Sequence, residues 1–373
     1  MASNKLKRRM FLTLSITGVI ALAGFFTLRL PSFGATSIGN GLKRIRNSKN
    51  FKNGKFENEE DTPMLSADAS YPKMMAKFFK NDPLREPQKP LPTIKPVFLP
   101  PPTDDSYRLI WFGHSSYLLQ IAGKNILVDP VFCERASPFQ FMGTKRFLGT
   151  DIVSTKDLPE IDLLIQTHDH YDHLDTEAIT QLKNKVKQVV APLGVAAHLE
   201  KWGIAPEKIT ELDWWESHQP FDDIKLTTTT ARHFSGRGLT NRASTLWTAY
   251  ILETPHKKIY LGGDSGYGKH FKEIGENHGP FDLTILECGQ YNEWWSHIHL
   301  MPEEVVQAHI DLKGKALLPV HWGKFALAYH PWQEPIERLT AKAKAENVVV
   351  NTPKIGETLH SNLISASTWW KSV

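Results

Sequence analysis

A short loop rich in histidine and aspartate constrains this chain more than any other part of its sequence. The loop, residues 167–175, follows Ile161–Ile165, an apolar run typical of a short buried strand. A helical pattern begins after the loop, so its side chains stand where a strand ends and a cleft can form. Its candidate ligands are His168, His170, Asp172 and His173. Zinc and similar divalent ions prefer imidazole and carboxylate ligands, and the spacing His-x-His-x-Asp-His allows two metal ions, one on each side of the loop.

Three later residues stand just past other strand-like runs. They are His233, Asp264 and His321, and the runs before them end near residues 230, 262 and 320. A solvated polar loop would be the simpler interpretation of residues 167–175 alone, but these distant groups favour one shared metal site. Glycines on both sides of Asp264 are expected to let the backbone turn sharply and aim the carboxylate inward. His114 also follows a strand-like run, and we predict that it supports the site without binding metal.

The N-terminal segment, residues 1–35, has the pattern of an export signal or a single membrane anchor. Four basic residues precede an apolar run over residues 10–30. Positive charge before the run predicts that the body crosses a membrane, and Arg8-Arg9 resembles a twin-arginine export signal. We therefore expect the body on the periplasmic side of a bacterial inner membrane, anchored or exported. A buried core helix is the alternative for this segment.

The remaining chain divides by composition into three parts. Residues 36–62 are polar and basic and are predicted to be a linker, and residues 63–104 are predicted to form a proline-rich strap. Residues 105–373 are predicted to form the domain that carries the metal site. Residues 1–61 have a net charge of +7 and the whole chain +4, so the rest carries −3. The basic balance belongs to the N-terminal part, and we predict no nucleic-acid surface. Cys133 and Cys288 are too few for a disulfide framework, and their spacing leaves open whether they pair.

The order of these groups, His-x-His-x-Asp-His followed by His, Asp and His, resembles the metallo-β-lactamase superfamily over residues 105–360. Further motifs are most similar to N-acyl phosphatidylethanolamine-hydrolysing phospholipase D and its bacterial relatives. These are Trp-Phe-Gly-His-Ser-Ser at 111–116, Leu-Val-Asp-Pro at 127–130, Gly-Asp-Ser-Gly-Tyr at 263–267, His-Leu-Met-Pro-Glu-Glu at 299–304 and His-Trp-Gly-Lys-Phe-Ala at 321–326. The resemblance implies an α/β fold, a four-layer αβ/βα sandwich with a binuclear metal site at one edge of its two sheets.

The same resemblance implies a role for each candidate residue. One metal ion would be held by His168, His170 and His233, the other by Asp172, His173 and His321, and Asp264 would bridge them. Tyr171 and His299 match positions that contact substrate, and Asp264 and His299 are the expected catalytic residues. Two divalent cations, zinc being the first choice, would trap a bridging hydroxide by lowering the pKa of water from about 15.7 towards about 7. Packing without a substrate contact is an equal alternative for Tyr171.

The expected reaction is hydrolysis of a phosphodiester in a phospholipid, an N-acyl phosphatidylethanolamine first of all, giving phosphatidic acid and an N-acylethanolamine. A lactone or another ester of a small soluble molecule is the alternative, because one fold serves many substrates. A membrane-anchored scaffold without activity is a weaker alternative, because a degenerate site would have lost a ligand. The expected partners are the phospholipid and, through residues 1–35, a membrane. The oligomeric state stays open, with a dimer among the alternatives.

Three tryptophan pairs stand at 214–215, 294–295 and 369–370. Large aromatic rings are usually well buried, so at least one ring of each pair is expected in the core. The amphipathic indole ring also suits a membrane interface. The pair at 294–295, close to His299, is the one that we expect at a lipid-facing entrance.

Overall fold

The computed structural model is organised around two β-sheets that face each other, with helices on their outer surfaces. It describes residues 30–80, 82–238 and 240–373. Most of the predicted export or anchor segment therefore lies outside the described residues. Within residues 30–80, 82–238 and 240–373, no helix is both long and apolar enough to cross a membrane.

The described part of the chain contains fifteen β-strands and seven α-helices. In chain order the strands are β1 (Phe51–Lys52), β2 (Lys55–Phe56), β3 (Tyr107–Trp111), β4 (Tyr117–Ile121), β5 (Lys124–Val128), β6 (Ile161–Ile165), β7 (Val186–Pro192), β8 (Ile209–Leu212), β9 (Ser217–Phe221), β10 (Ile224–Thr229), β11 (Ala249–Glu253), β12 (Lys258–Leu261), β13 (Leu283–Glu287), β14 (Leu317–Val320) and β15 (Thr358–His360). The helices are α1 (Gly39–Asn47), α2 (Tyr71–Phe79), α3 (Thr176–Leu182), α4 (Ala196–Lys201), α5 (His270–His278), α6 (Pro302–Asp311) and α7 (Glu334–Ala345).

Each large sheet combines an antiparallel part with a parallel part. The first sheet has the order β15-β3-β4-β5-β6-β7-β8, and the second has the order β14-β13-β12-β11-β10-β9. The strands are parallel from β5 to β8 and from β12 to β14. Parallel neighbours need a crossover connection, and helices α3, α4, α5 and α6 lie in four of these five connections. The predicted α/β sandwich is confirmed.

Both faces of the central strands are buried. In β6, Leu163 and Ile165 join the core between the sheets, whereas Leu164 joins a second cluster with residues of α3 and α4. A strand covered on both faces has a nearly continuous apolar sequence, as this strand does. Cys133 and Cys288 are both buried, and both are free thiols.

The structure corrects the linker predicted for residues 36–62. This segment contains α1 and the hairpin of β1 and β2, and Ile45 and Phe56 are buried in a small core against the domain. The side chain of Asn58 also donates to the backbone carbonyl of His233, at 2.8 Å. Two apolar side chains thus hold a segment of mostly polar composition, because their burial removes apolar surface from water.

Residues 63–104 contain α2 and a long extended stretch. The N–H of Leu91 donates to the carbonyl of Leu148 at 2.8 Å, and that of Ile94 donates to Ile355 at 2.9 Å. Further along, the side-chain amide of Gln120 donates to the carbonyl of Leu99 at 2.8 Å. Backbone groups of the extended stretch are therefore satisfied by the domain across which it runs.

The tryptophan pairs differ in burial. The pair at 369–370 is buried against Trp322, and one ring of the pair at 214–215 is buried, as expected. For the pair at 294–295 the expectation of a buried ring is wrong, because both rings are only partly covered. That pair belongs to a surface 3-10 turn, Glu293–Trp295, in the segment that leads to His299.

Trp370→Ala is expected to lower the free energy of unfolding by about 3–5 kcal/mol, because it removes a buried indole and leaves a cavity. Trp370 is 1% exposed, whereas Trp215, the matched control, is 36% exposed. Trp215→Ala is expected to change the free energy of unfolding by less than about 1 kcal/mol. Urea unfolding of both variants at the same metal content measures the difference. Equal effects would contradict the packing of the C-terminal pair.

Candidate metal centre

Loops that follow strands of both sheets meet at one edge of the sandwich. The loop 167–175 leaves β6, and further site residues stand just after β3, β10, β12 and β14. The structure brings together all seven residues predicted as metal ligands: His168, His170, Asp172, His173, His233, Asp264 and His321. His114 and His299 lie in the same cluster.

Three histidines form the first group. One ring nitrogen from each of His168, His170 and His233 lies within 4.8 Å of the others. Nε2 of His168 is 3.0 Å and Nε2 of His233 is 3.2 Å from Nδ1 of His170. His233 donates its Nδ1–H to the carbonyl of Ile298 at 2.9 Å, so its Nε2 carries a lone pair. Thr167 Oγ1 likewise lies 3.0 Å from Nδ1 of His168 and leaves Nε2 of that ring facing inward.

The second group contains Asp172, His173 and His321, with His114 beside them. His173 donates its Nδ1–H to Oδ2 of Asp129 at 2.8 Å, and its Nε2 is buried without a hydrogen-bond partner. Nε2 of His114 lies 2.8 Å from Oδ2 of Asp172, and its ring is 4.0 Å from that of His321. His114 therefore holds Asp172 in place.

Asp264 lies between the two groups. Its Oδ2 is 3.9 Å from Nε2 of His168, 3.8 Å from Nε2 of His233 and 3.2 Å from Nε2 of His173. Its Oδ1 is 3.3 Å from Nδ1 of His321 and is buried without a hydrogen-bond partner. One carboxylate thus faces both groups. Burial raises the pKa of Asp264 to about 6.

The chemistry of these donors fits divalent cations. Burial lowers the pKa of His168, His233 and His321 well below the usual value, so these imidazoles are neutral at pH 7, the state that binds metal. Lone pairs that face one another in a buried cluster are unfavourable unless a cation lies between them. The unpartnered Nε2 of His173 and Oδ1 of Asp264 belong to the same cluster.

Glycines allow the loop of Asp264 to pack closely on its neighbours. A Cβ on Gly263 would lie 2.6 Å from the carbonyl oxygen of Thr248, and one on Gly266 would lie 2.0 Å from that of His297. Neither glycine has a positive φ. Glycine is therefore not needed here for a positive φ in a sharp turn. It is needed because the backbone of the loop lies so close to the neighbouring carbonyl groups.

The backbone at the site is held in an unusual conformation. His114, Asp129 and His321 have φ values of 53°, 40° and 67°, which residues with a side chain rarely adopt. Two hydrogen bonds of 2.9 Å secure it: His114 N–H donates to Trp322, and His321 N–H donates to His114. These bonds join a loop of the first sheet to a loop of the second.

Sequence analysis missed two buried carboxylates, Asp129 and Glu287. Asp129 accepts the N–H of Thr167 at 2.8 Å and its hydroxyl at 2.5 Å, besides the ring of His173. Glu287, the last residue of β13, lies with Oε2 2.7 Å from Nδ1 of His299. Burial raises the pKa of Glu287 well above its usual value, and two backbone N–H groups act against this. Asp129 and Glu287 share one sequence feature with the predicted ligands: each stands at the end of an apolar strand.

The two predicted substrate contacts differ in their surroundings. The side chain of His299 is 13% exposed, and its ring lies 5.0 Å from that of His233 and 5.5 Å from that of His321. Tyr171 donates its hydroxyl to the carbonyl of Arg237 at 2.6 Å and packs under that guanidinium at 4.1 Å. It also lines an apolar cavity of about 460 Å³. His299 thus stands over the cluster, whereas Tyr171 is engaged in packing beside it.

Comparison with known proteins gives four findings. A family model described as a beta-lactamase superfamily domain matches residues 124–322. The chain is 39% identical over 361 residues to an uncharacterized protein of Mycobacterium tuberculosis, covering 94% of this chain and 95% of the relative. It is 31% identical over 317 residues to N-acyl-phosphatidylethanolamine-hydrolyzing phospholipase D 1 of Caenorhabditis elegans, covering 80% and 87%. Isothiocyanate hydrolase from Delia radicum gut bacteria shares the fold, with a TM-score of 0.52 at 20% identity over 68% of this chain and 98% of that one.

Asp129→Asn is expected to weaken the binding of a divalent cation by about 10- to 100-fold, because an amide holds the Nδ1–H of His173 less firmly than a carboxylate does. The matched control is Asp162→Asn, since Asp162 binds the N–H of Asn125 and the ammonium of Lys187 outside the centre. Competition with a coloured chelator measures the affinity of both metal-free variants. Wild-type affinity in Asp129→Asn would rule out its role in holding His173.

Proposed function

The chain belongs to the beta-lactamase superfamily and has the fold of its metal-dependent hydrolases, and from this premise we propose that it cleaves the phosphodiester bond of a phospholipid. The observation that carries the proposal is the pair of donor groups that share Asp264. The substrate class is supported by the similarity to the phospholipase D of Caenorhabditis elegans. N-acyl phosphatidylethanolamine is the first substrate to test.

The two donor groups define the proposed metal sites. One ion would be held by His168, His170 and His233. The other ion would be held by Asp172, His173 and His321, and Asp264 would bind both ions. Nitrogen and carboxylate ligands of this kind suit zinc. When bound, two such cations generate a nucleophile from water at neutral pH and neutralise charge on the phosphate oxygens.

His299 is the side chain placed to assist the leaving group. Its Nδ1 is held by Glu287, so Nε2 is the nitrogen left for the substrate. A protonated Nε2 gives its proton to the leaving oxygen while the bond to phosphorus breaks, which is general acid catalysis. The small exposed fraction of this side chain keeps most water away from the transfer.

A surface next to the site supports a lipid substrate. Tyr71 and Met75, one helical turn apart on α2, are 71% and 52% exposed and form an apolar ridge. Lys73 and Lys77 are exposed on the same helix, and Lys80 follows its last residue. An apolar ridge on one face of a helix with cations on its other face is typical of a helix that lies in the interface of an anionic membrane.

The segment around Trp294 connects this helix to the reaction centre. Nζ of Lys77 lies 5.5 Å from the ring of Trp294 and 5.4 Å from that of Tyr329. The same segment leads from Trp295 to His299 within four residues. We infer that α2 meets the membrane that carries the substrate, with the N-terminal segment as a tether on the periplasmic side.

The full-length protein, with its metal content measured, is expected to release phosphatidic acid from N-acyl phosphatidylethanolamine in mixed micelles. A chelator is expected to abolish the release, and zinc to restore it. Asp264→Asn is expected to lower the rate by about 10³-fold, because the shared ligand between the two cations is lost. Circular dichroism checks that this variant keeps the fold.

Three results would contradict parts of the proposal. Cleavage of bis(p-nitrophenyl) phosphate without any release from the lipid would move the substrate to a small soluble phosphodiester. Turnover of a lactone or a carboxylic ester, with neither phosphodiester cleaved, would replace the reaction class. Near-normal turnover in Asp264→Asn would remove the bridging role of that carboxylate.

Met75→Glu is expected to lower the rate on anionic phospholipid vesicles by about 10-fold, because the ridge loses apolar contact and gains a repelled charge. The rate on bis(p-nitrophenyl) phosphate is expected to stay the same, since that ester needs no interface. Ile364→Glu is the matched control: Ile364 is 64% exposed but lies outside α2. If Met75→Glu and Ile364→Glu behave alike on vesicles, α2 is not the membrane contact.

A further inference from the structure

A fully buried carboxylate, Glu287, joins the loop of Asp264 to the loop of His299. Its Oε1 accepts the N–H of Ser265 at 2.8 Å and that of Leu300 at 3.4 Å, while Oε2 lies 2.7 Å from Nδ1 of His299. Ser265 and Leu300 directly follow Asp264 and His299 in the chain. One side chain therefore ties a predicted metal ligand and a predicted substrate contact to the end of β13.

These contacts determine which nitrogen of His299 is available. Two backbone N–H groups on Oε1 favour the ionised form of Glu287 against the effect of its burial. With Glu287 ionised, Nδ1 of His299 carries a hydrogen and donates it to Oε2. Nε2 is the remaining nitrogen. The ring is also held edge-on to His233 at 5.0 Å and stacked on His321 at 5.5 Å. A flipped ring would lose the bond to Glu287, so one orientation and one tautomer are favoured.

Glu287 is close enough to the centre for metal ligation to be weighed. One ligand atom each from Asp264, Glu287, His299 and His321 lie within 4.8 Å of one another. Both oxygens of Glu287, however, already face N–H donors, two of which belong to the backbone. Oδ1 of Asp264 has no such partner. The contacts therefore favour a carboxylate that holds His299 over one that binds metal.

We propose that Glu287 is a positioning residue that fixes His299 in the Nδ1–H tautomer and directs its Nε2 to the leaving oxygen of the substrate. The inference rests on the proposed function, since it concerns a phosphodiester with an alkoxide leaving group. As the bond from phosphorus to the leaving oxygen breaks, its electron pair stays on that oxygen, which takes the proton from Nε2. The water that forms the new bond to phosphorus supplies the proton that restores His299. One water is consumed, and the hydrogen bond between Nδ1 of His299 and Glu287 holds the ring in place during the transfer.

The test compares two leaving groups in the full-length protein. Glu287→Gln is expected to lower kcat on N-acyl phosphatidylethanolamine by about 100-fold with little change in KM, because an alkoxide needs the proton. On bis(p-nitrophenyl) phosphate, whose p-nitrophenolate leaves without a proton, the expected loss is less than about threefold. His299→Gln is expected to show the same pattern, and the double variant is expected to be no slower than His299→Gln, because the two residues act as one unit.

Glu211→Gln is the matched control. Glu211 is another largely covered carboxylate that accepts two backbone N–H groups, from Gly194 at 2.6 Å and Ala196 at 2.9 Å, outside the metal centre. Its substitution is expected to leave the rates on both substrates unchanged. Should Glu287→Gln not fold, Glu287→Asp keeps the charge but withdraws it by one methylene, and a smaller loss confined to the lipid is expected.

A second measurement does not depend on turnover. Nitrogen NMR of the imidazole rings is expected to show hydrogen on Nδ1 of His299 in the wild type and in Glu211→Gln, and a changed signal in Glu287→Gln. If the wild type cleaves neither phosphodiester, the proposed function fails while this measurement still tests the contact. Equal slowing of both substrates, an unchanged signal of His299, or the loss of a bound metal ion in Glu287→Gln would each overturn the positioning role.

Discussion

Two histidines of the centre, His233 and His173, are held through one ring nitrogen by fixed acceptors, and this determines what the other nitrogen can do. The carbonyl of Ile298 takes the Nδ1–H of His233, and the carboxylate of Asp129 takes that of His173. Each ring then turns its other nitrogen, Nε2, towards Asp264. Proton positions that would otherwise be free to change are assigned by the protein before any ion arrives, which lowers the reorganisation needed for binding.

The fold supplies these acceptors by ending many strands at one edge. The parallel parts of both sheets direct their carboxyl ends to the same place, and Asp264 and His321 stand within three residues of a strand end there. Left-handed backbone at His114 and His321 permits the exchange of hydrogen bonds that joins the two sheets there. Unfavourable local conformations of this kind persist only where the surroundings determine them fully, and here both sheets do so.

Much of this arrangement can be predicted from sequence, because each ligand follows a short apolar run. The spacing in residues 167–175 and the positions of His233, Asp264 and His321 lead to one cluster without coordinates. Glu287 also stands at the end of an apolar run, but its partner His299 is twelve residues away, and only the tertiary structure brings the two together. Residues 36–62 have a polar composition, which concealed the two apolar side chains that fix them.

The contact between Asn58 and His233 extends the candidate metal centre to a residue outside the sandwich. The side chain of Asn58 donates to the carbonyl of His233 at 2.8 Å, and its oxygen accepts the N–H of the same residue at 3.2 Å. The same oxygen accepts the indole N–H of Trp247 at 3.0 Å. A segment far from the sandwich in sequence therefore acts as a clamp on the backbone of one ligand. A fragment that begins at the first strand of the sandwich would lack these contacts to the backbone of His233.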